Sequence, residues 1–427
     1  MSRPEDQPTG AGSQGIPGPT DRTAGTSTAT GQAPATRPPS EDRWREAVRA
    51  ITTGNGLVAL LSVLLAVAIG SLLILVTDDA VRETSGYVFS RPGDFFSAAG
   101  QAISGAYGSL FRGSIYNSRG ADFASQIRPL TETLKFAGPL IMAGLGVGLT
   151  FRAGMFNIGG RGQMLLAGAA AGWVGINVDL PFPLHLAAAV LAGMVAGAFW
   201  AGIVGVLKAR TGAHEVIVTI MLNYVGFYLV FYALSRQSLL QAPGSINPKS
   251  LPMQDSAILP DLLGDRFNLH LGFVLALVAV AVVWWVLNRS ALGFRFRAVG
   301  ANPHAARTAG IDVGRTYVLA MLISGALVGL AGANQILGTA TSGVTVDLDA
   351  GIGFDAITVA LLGRSHPLGI LGAGLLFGAF KAGGFSMQAS EGIPVDIVLV
   401  IQSLIVLFIA APPLVRAMFR LPAQEAK

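Results

Sequence analysis

The sequence predicts an all-α polytopic membrane protein with about eight full transmembrane helices, one broken or re-entrant helix pair, and both termini cytoplasmic. Three observations predict this. Of the 427 residues, 52% are apolar and only 12% are charged, and the mean hydropathy is +0.58, a balance too hydrophobic for a soluble domain of this size. Apolar runs of about twenty residues recur along the chain, enough for a helix rising ~1.5 Å per residue to cross a ~30 Å hydrocarbon layer. The basic residues gather in short connections beside those runs, where the positive-inside rule puts them. The net charge of +5 therefore marks topology and not nucleic-acid binding.

Residues 1–42 are dominated by Pro, Gly, Thr, Ser and Ala, with almost no large apolar side chains to offset the entropy of ordering. A disordered cytoplasmic tail is expected there. Arg43, Arg45 and Arg49 open the transmembrane domain, 43–420, ahead of the first apolar run at 57–76. No apolar run lies near Met1, so 57–76 reads as an uncleaved span and not as a signal peptide. The connection 77–129 is long and nearly charge-balanced, which allows an external position, with a surface helix over 94–111. Spans are expected at 130–150, 163–176, 185–207, 216–234 and 269–287. Lys208 and Arg210 mark an inner end, and 235–268 forms an outer loop. Gly168 and Gly172, Gly193 and Gly197, and Gly325 and Gly329 in the next span, 317–337, have the four-residue spacing that lets helices approach closely.

Between the spans 269–287 and 317–337 lies the stretch 288–316. Five arginines, Arg289, Arg295, Arg297, Arg307 and Arg315, face one acid, Asp312. The cytoplasmic face is its expected place. Asn302 reads as the N-cap of a two-turn helix, Pro303 as its first residue and Gly310 as the residue that stops it. Further on, 354–362 and 368–380 are each too short to cross comfortably, and 363–367 separates them. A broken or re-entrant pair is expected, tolerated only where protein or a water-filled cavity satisfies its backbone. The run 395–411 completes the bundle. Arg416 and Arg420 argue for a cytoplasmic C-terminus before the short tail 421–427.

Several chemistries are excluded. Zero cysteines rule out disulfides, thiolate metal sites and cysteine nucleophiles. None of the five lysines follows a glycine, so the phosphate-binding loop ending in Gly-Lys-Ser/Thr is missing. No histidine pair has the zinc-helix spacing. Acids inside the apolar spans are nearly absent, which counts against an ion-coupled secondary carrier for a small polar solute. Asp355, at the mouth of the broken element, is the one candidate, and the alternative is that it caps that half-helix. In 151–163, Asn157 and Gln163 either offer amide hydrogen bonds to a polar solute or tie helices together. Asn223, mid-span beside Tyr224, has the same two readings.

Three blocks, FRAGMFNIGGRGQ at 151–163, TGAHEVIVTIMLNY at 211–224 and GFRFRAVGANPHAARTAGI at 293–311, resemble permease subunits of ATP-binding-cassette (ABC) importers for simple sugars and nucleosides, a group related to branched-chain amino acid permeases. A fourth block, GIGFDAITVALLGRSHPLG at 351–369, agrees. The extra first span and long external loop resemble the longer permease of nucleoside-type systems. The resemblance implies a bacterial, multi-pass plasma-membrane pore subunit, surrounded by lipid, that pairs with a second permease as a heterodimer. It also implies ABC ATPase subunits, which bind ATP and magnesium so that this chain carries no cofactor and is no enzyme, and an external solute-binding protein. Pro303, His304, Ala305, Ala306 and Arg307, ending at Gly310, would form the coupling helix to the ATPase. Phe156, Asn157, Gln163, Asn223, Tyr224 and Asp355 are the candidates for the translocation pathway. The sequence departs from the family pattern in two places: Arg161 stands where an acid is usual, and His214 where Asn is frequent.

Overall fold

The structure is a computed structural model that describes residues 55–420 apart from residue 265. The tails 1–42 and 421–427, and Arg43, Arg45 and Arg49, lie outside the described residues. The fold is all-α and polytopic. Among the described residues, seven helices are long and apolar enough to cross a membrane: α1 (Asn55–Thr77), α4 (Phe123–Arg152), α6 (Leu184–Thr211), α7 (Glu215–Leu234), α8 (Gly272–Arg289), α11 (Val313–Asn334) and α13 (Pro367–Glu391). An eighth span forms if α14 (Val395–Ala410) is joined to α15 (Pro412–Met418), which turns away from it by 93°. Shorter or more polar helices complete the chain: α2 (Asp79–Ser85), α3 (Pro92–Ser114), α5 (Gly160–Asn177), α9 (Ala291–Ala301), α10 (Pro303–Thr308) and α12 (Ile352–Leu362).

The small-residue spacings do what they predict. α6 and α11 are antiparallel, and Gly193 and Gly197 meet Gly329 and Gly325 backbone to backbone. A Cβ on Gly329 would stand 2.5 Å from the Gly193 carbonyl oxygen. At that separation the two helices gain dispersion contacts along their whole facing stripe, the main source of association in lipid.

The segment 94–111 is helical, within α3, and only a few of its residues are buried. α3 is wedged between α1 and α13: the Tyr107 hydroxyl donates to the Val67 carbonyl at 2.9 Å, Ser109 donates to Glu391 at 2.5 Å, and Leu110 packs on Gly383. Two other expectations change. The run 368–380 is not a half-span. Its helix continues through Lys381 to Glu391, 25 residues in all, because one polar residue interrupts a hydropathy run without interrupting backbone hydrogen bonding. And 163–176 belongs to α5, which is buried in the bundle but is not among the long apolar helices.

The broken element is therefore 340–362, not 354–380. After a π-helical turn, Gln335–Thr339, the chain re-enters the bundle without regular structure. Val344 packs on Gly172, Leu348 on Gly168 and Gly353 on Gly160, so the segment descends α5 rung by rung before α12 begins. The eleven residues of α12 then cover only about 16 Å. An irregular crossing is permissible here because protein surrounds one end of it: Val344 exchanges hydrogen bonds with Ser250 of the 235–268 loop at 3.1 and 2.8 Å.

Candidate translocation site and coupling loop

Two helices start inside the bundle, and they start against each other. After Arg152 the chain turns at Gly154 (φ +73°) and dips inward until the Asn157 amide donates to Ser324 Oγ, midway along α11, at 3.0 Å. Only then does α5 begin, at Gly160. A Cβ there would lie 2.5 Å from the carbonyl oxygen of Gly353, the second residue of α12. Two positive dipole ends thus meet within the bundle.

Charged side chains surround that meeting point. Arg161 Nε lies 3.5 Å from Asp349 Oδ1, and the guanidinium sits over the Phe227 ring, 5.3 Å from its centroid. Asp349 is buried. Lys381, halfway along α13, donates to the Ala350 carbonyl at 2.6 Å. Asp355, in the first turn of α12, is half-buried and makes no capping hydrogen bond; its backbone N–H donates to the Gly351 carbonyl at 3.0 Å, one residue beyond the Ala350 carbonyl that Lys381 holds. With Asp347, two residues before Asp349, three acids and two bases thus share one region. Charged groups inside a membrane bundle are costly unless paired or watered, which makes these the candidates for the solute pathway. Arg161 thus has its partner in Asp349.

The amide candidates are placed differently. Asn157 and Gln163 form a reciprocal pair, with the Gln163 amide donating to Asn157 Oδ1 at 2.9 Å and the Asn157 amide to Gln163 Oε1 at 3.2 Å. Asn157 Oδ1 also accepts from Gly159 N–H. Asn223 Oδ1 accepts from Gly162 N–H at 2.9 Å, and its amide donates to the Ile158 carbonyl at 2.9 Å. All three are buried. Of their two readings, these bonds describe the tie: they lash the inward loop 155–159 to α5, α7 and α11. Phe156 and Tyr224 point outward, each more than half exposed.

Sequence reading missed Asp349 and Lys381. Asp349 enters on non-helical backbone outside any apolar run, so a survey of spans for carboxylates passed it over. Lys381 sat one residue beyond the supposed end of a half-span. A lone lysine after thirteen apolar or glycine residues was the available signal.

At the end of the bundle where α4 and α8 finish, α9 and α10 form the basic loop 288–316, the candidate for coupling. Asn302 caps α10 as expected, its Oδ1 accepting from His304 N–H at 2.9 Å and Ala305 N–H at 3.1 Å. Gly310 has φ +81°. Gly310 N–H donates to Arg307 and Ile311 N–H to Ala306, both at 3.0 Å, the Schellman pattern, and Ile311 packs with Ala306 in a small apolar cluster. Ala306 faces inward, Pro303 is intermediate, and His304, Ala305 and Arg307 are exposed. α9 rests on the end of α4, where Gly300 touches Arg152 and Gly154. The loop that α9 touches is the one that leads into the site.

An inner bundle with a broken crossing, charged groups at the break and a basic helical loop at one end defines the membrane-embedded part of a transporter. The chain belongs to the branched-chain amino acid transport system / permease component family, whose model matches residues 130–410. It is 36% identical over 364 residues to the guanosine ABC transporter permease NupP of Bacillus subtilis, covering 84% of this chain and 94% of that protein. Identity is 39% over 289 residues, 66% of this chain and 75% of the relative, with the glucose ABC transporter permease TsgB13 of Haloferax volcanii. It is 35% over 305 residues, 70% and 83%, with the nucleoside ABC transporter permease NupB of Lactococcus lactis. In each of these organisms a second such permease, for Haloferax volcanii a putative one, also matches, at 28%, 32% and 29% identity respectively. No solved structure matches the chain. The protein is a multi-pass transmembrane pore subunit of the ABC importer class.

Proposed function

We propose that this subunit carries nucleosides across a bacterial plasma membrane, driven by ATP bound with magnesium and hydrolysed on separate ATPase subunits. The observation that carries the substrate class is the 36% identity to a guanosine permease over 94% of its length. The second permease match in each organism supports pairing with a different permease. In this arrangement 288–316 and both termini face the cytoplasm, α10 rests on an ATPase, and 77–129 and 235–268 face an external solute-binding protein. Closure of the ATPase pair shifts α10, and α9 passes the shift through Gly300 to the 152–154 turn.

The deciding experiment is uptake of labelled guanosine in cells with and without the gene, under ATP depletion and, separately, under an uncoupler. Uptake should require the gene and ATP and should survive the uncoupler. Uptake that survives ATP depletion but is lost with the proton gradient would refute the reading.

A further inference from the structure

The contact between the starts of α5 and α12 is crowded with charge, yet its members differ in access. Asp349 is buried and held by Arg161. Arg161 is committed twice, to Asp349 and to the Phe227 ring. Asp355 has no hydrogen bond to its own helix start and is half-buried. Lys381 uses one of three ammonium protons on the Ala350 carbonyl and is likewise half-buried. Beside them Gly351 and Phe354 are exposed. One carboxylate and one ammonium therefore keep free valence on an open side of the bundle, at a broken helix.

We infer that Asp355 and Lys381 form a hydroxyl-binding subsite of the pore, which takes a vicinal diol from the passing solute. A carboxylate accepts from hydroxyl hydrogens, an ammonium donates to hydroxyl oxygens, and a diol presents both at adjacent carbons. The Arg161–Asp349 pair holds the extended crossing that leads into the site. The same diol chemistry is offered by the ribose of a nucleoside and by a simple sugar. The inference rests on the import function proposed above and adds the part of the solute that the pore reads.

The test uses the complete transporter with its external binding protein, carrying wild-type chain, Asp355→Asn or Asp355→Glu, and labelled guanosine, 2′-deoxyguanosine and glucose. The binding protein is the same throughout, so its own preference cancels when each variant is compared with wild type on one solute. Asp355→Asn should cut guanosine uptake about tenfold and 2′-deoxyguanosine uptake less than threefold, with Asp355→Glu recovering part of the guanosine loss. A second measurement removes the binding protein: millimolar guanosine should raise the Tm of the purified wild-type complex by at least about 2 °C and that of the Asp355→Asn complex by less than half as much. Equal losses on the two nucleosides, or equal Tm shifts in wild type and variant, overturn the subsite. Wild-type cells that take up glucose and neither nucleoside overturn the nucleoside reading instead, and a tenfold loss of glucose uptake in Asp355→Asn then supports the subsite with a sugar as the source of the diol.

Discussion

At the scale of single residues, polar groups inside this bundle divide into those whose bonds are complete and those left open. Asn157, Gln163 and Asn223 are complete, and truncating any of them would strand partners that water does not reach. Asn334 is the opposite case: it is buried, and neither atom of its amide is hydrogen-bonded. Next to it His270, also buried, accepts from Gly272 N–H through Nδ1 at 3.2 Å. Burial, helped by the Lys135 ammonium, holds the His270 imidazole down at about 4. The folded protein thus binds this proton less readily than the unfolded chain, whose imidazole titrates near 6.5. The stability contribution is complete above about 6.5 and is lost as the pH falls toward 4, at most about 3 kcal/mol. The Tm of the purified protein should therefore drop between pH 7 and pH 4.5. In His270→Asn, whose Oδ1 can replace Nδ1 as acceptor without titrating, that drop should shrink. An unchanged drop would assign the acid sensitivity to other groups.

At the scale of elements, what could be read from sequence depended on how local its cause was. α10 was legible to the residue, because an Asn-Pro start and a glycine stop act within one turn. The 340–351 crossing was not legible, because irregular backbone has no hydrophobic period and is held by α5 and the outer loop, both distant in sequence. α13 fell between these cases: its start was right, and its end was cut short at Lys381. For α10 the stop itself is testable. Gly310 has φ +81° and open space where a Cβ would go, so a substitution acts through the backbone alone. Gly310→Val should cost about 1–2 kcal/mol locally, untie the Schellman turn, lower guanosine uptake at least about fivefold and weaken stimulation of the ATPase by solute. Gly310→Asn, which tolerates the left-handed conformation, should stay near wild type. Val and Asn variants that behave alike would remove backbone geometry as the cause.

At the scale of the whole molecule, α11 connects the parts. Its N-terminus follows α10, with Asp312 Oδ1 accepting from Arg315 N–H at 2.9 Å. Its middle holds the inward loop through Ser324, and its far end passes through the π turn into the broken crossing. The glycine seam with α6 fixes where this connector lies, so the seam should tolerate far less than its surroundings. Two glycines of α6 separate that claim from a general intolerance of helix substitutions. A Cβ on Gly197 would drive into the Gly325 carbonyl and the Gly329 backbone, which cannot yield unless the helices part. A Cβ on Gly202 would meet only the end of the Leu322 side chain, 2.8 Å away, which can change rotamer. Both replacements by alanine gain the same helix propensity, about 1 kcal/mol. Gly197→Ala should lose more than that to overpacking, about 1–3 kcal/mol, and show a lower Tm with reduced uptake. Gly202→Ala should match or exceed wild type in Tm. Similar Tm values for the two variants would mean that α6 and α11 can separate at little cost, and α11 could not then hold the coupling loop and the site in one register.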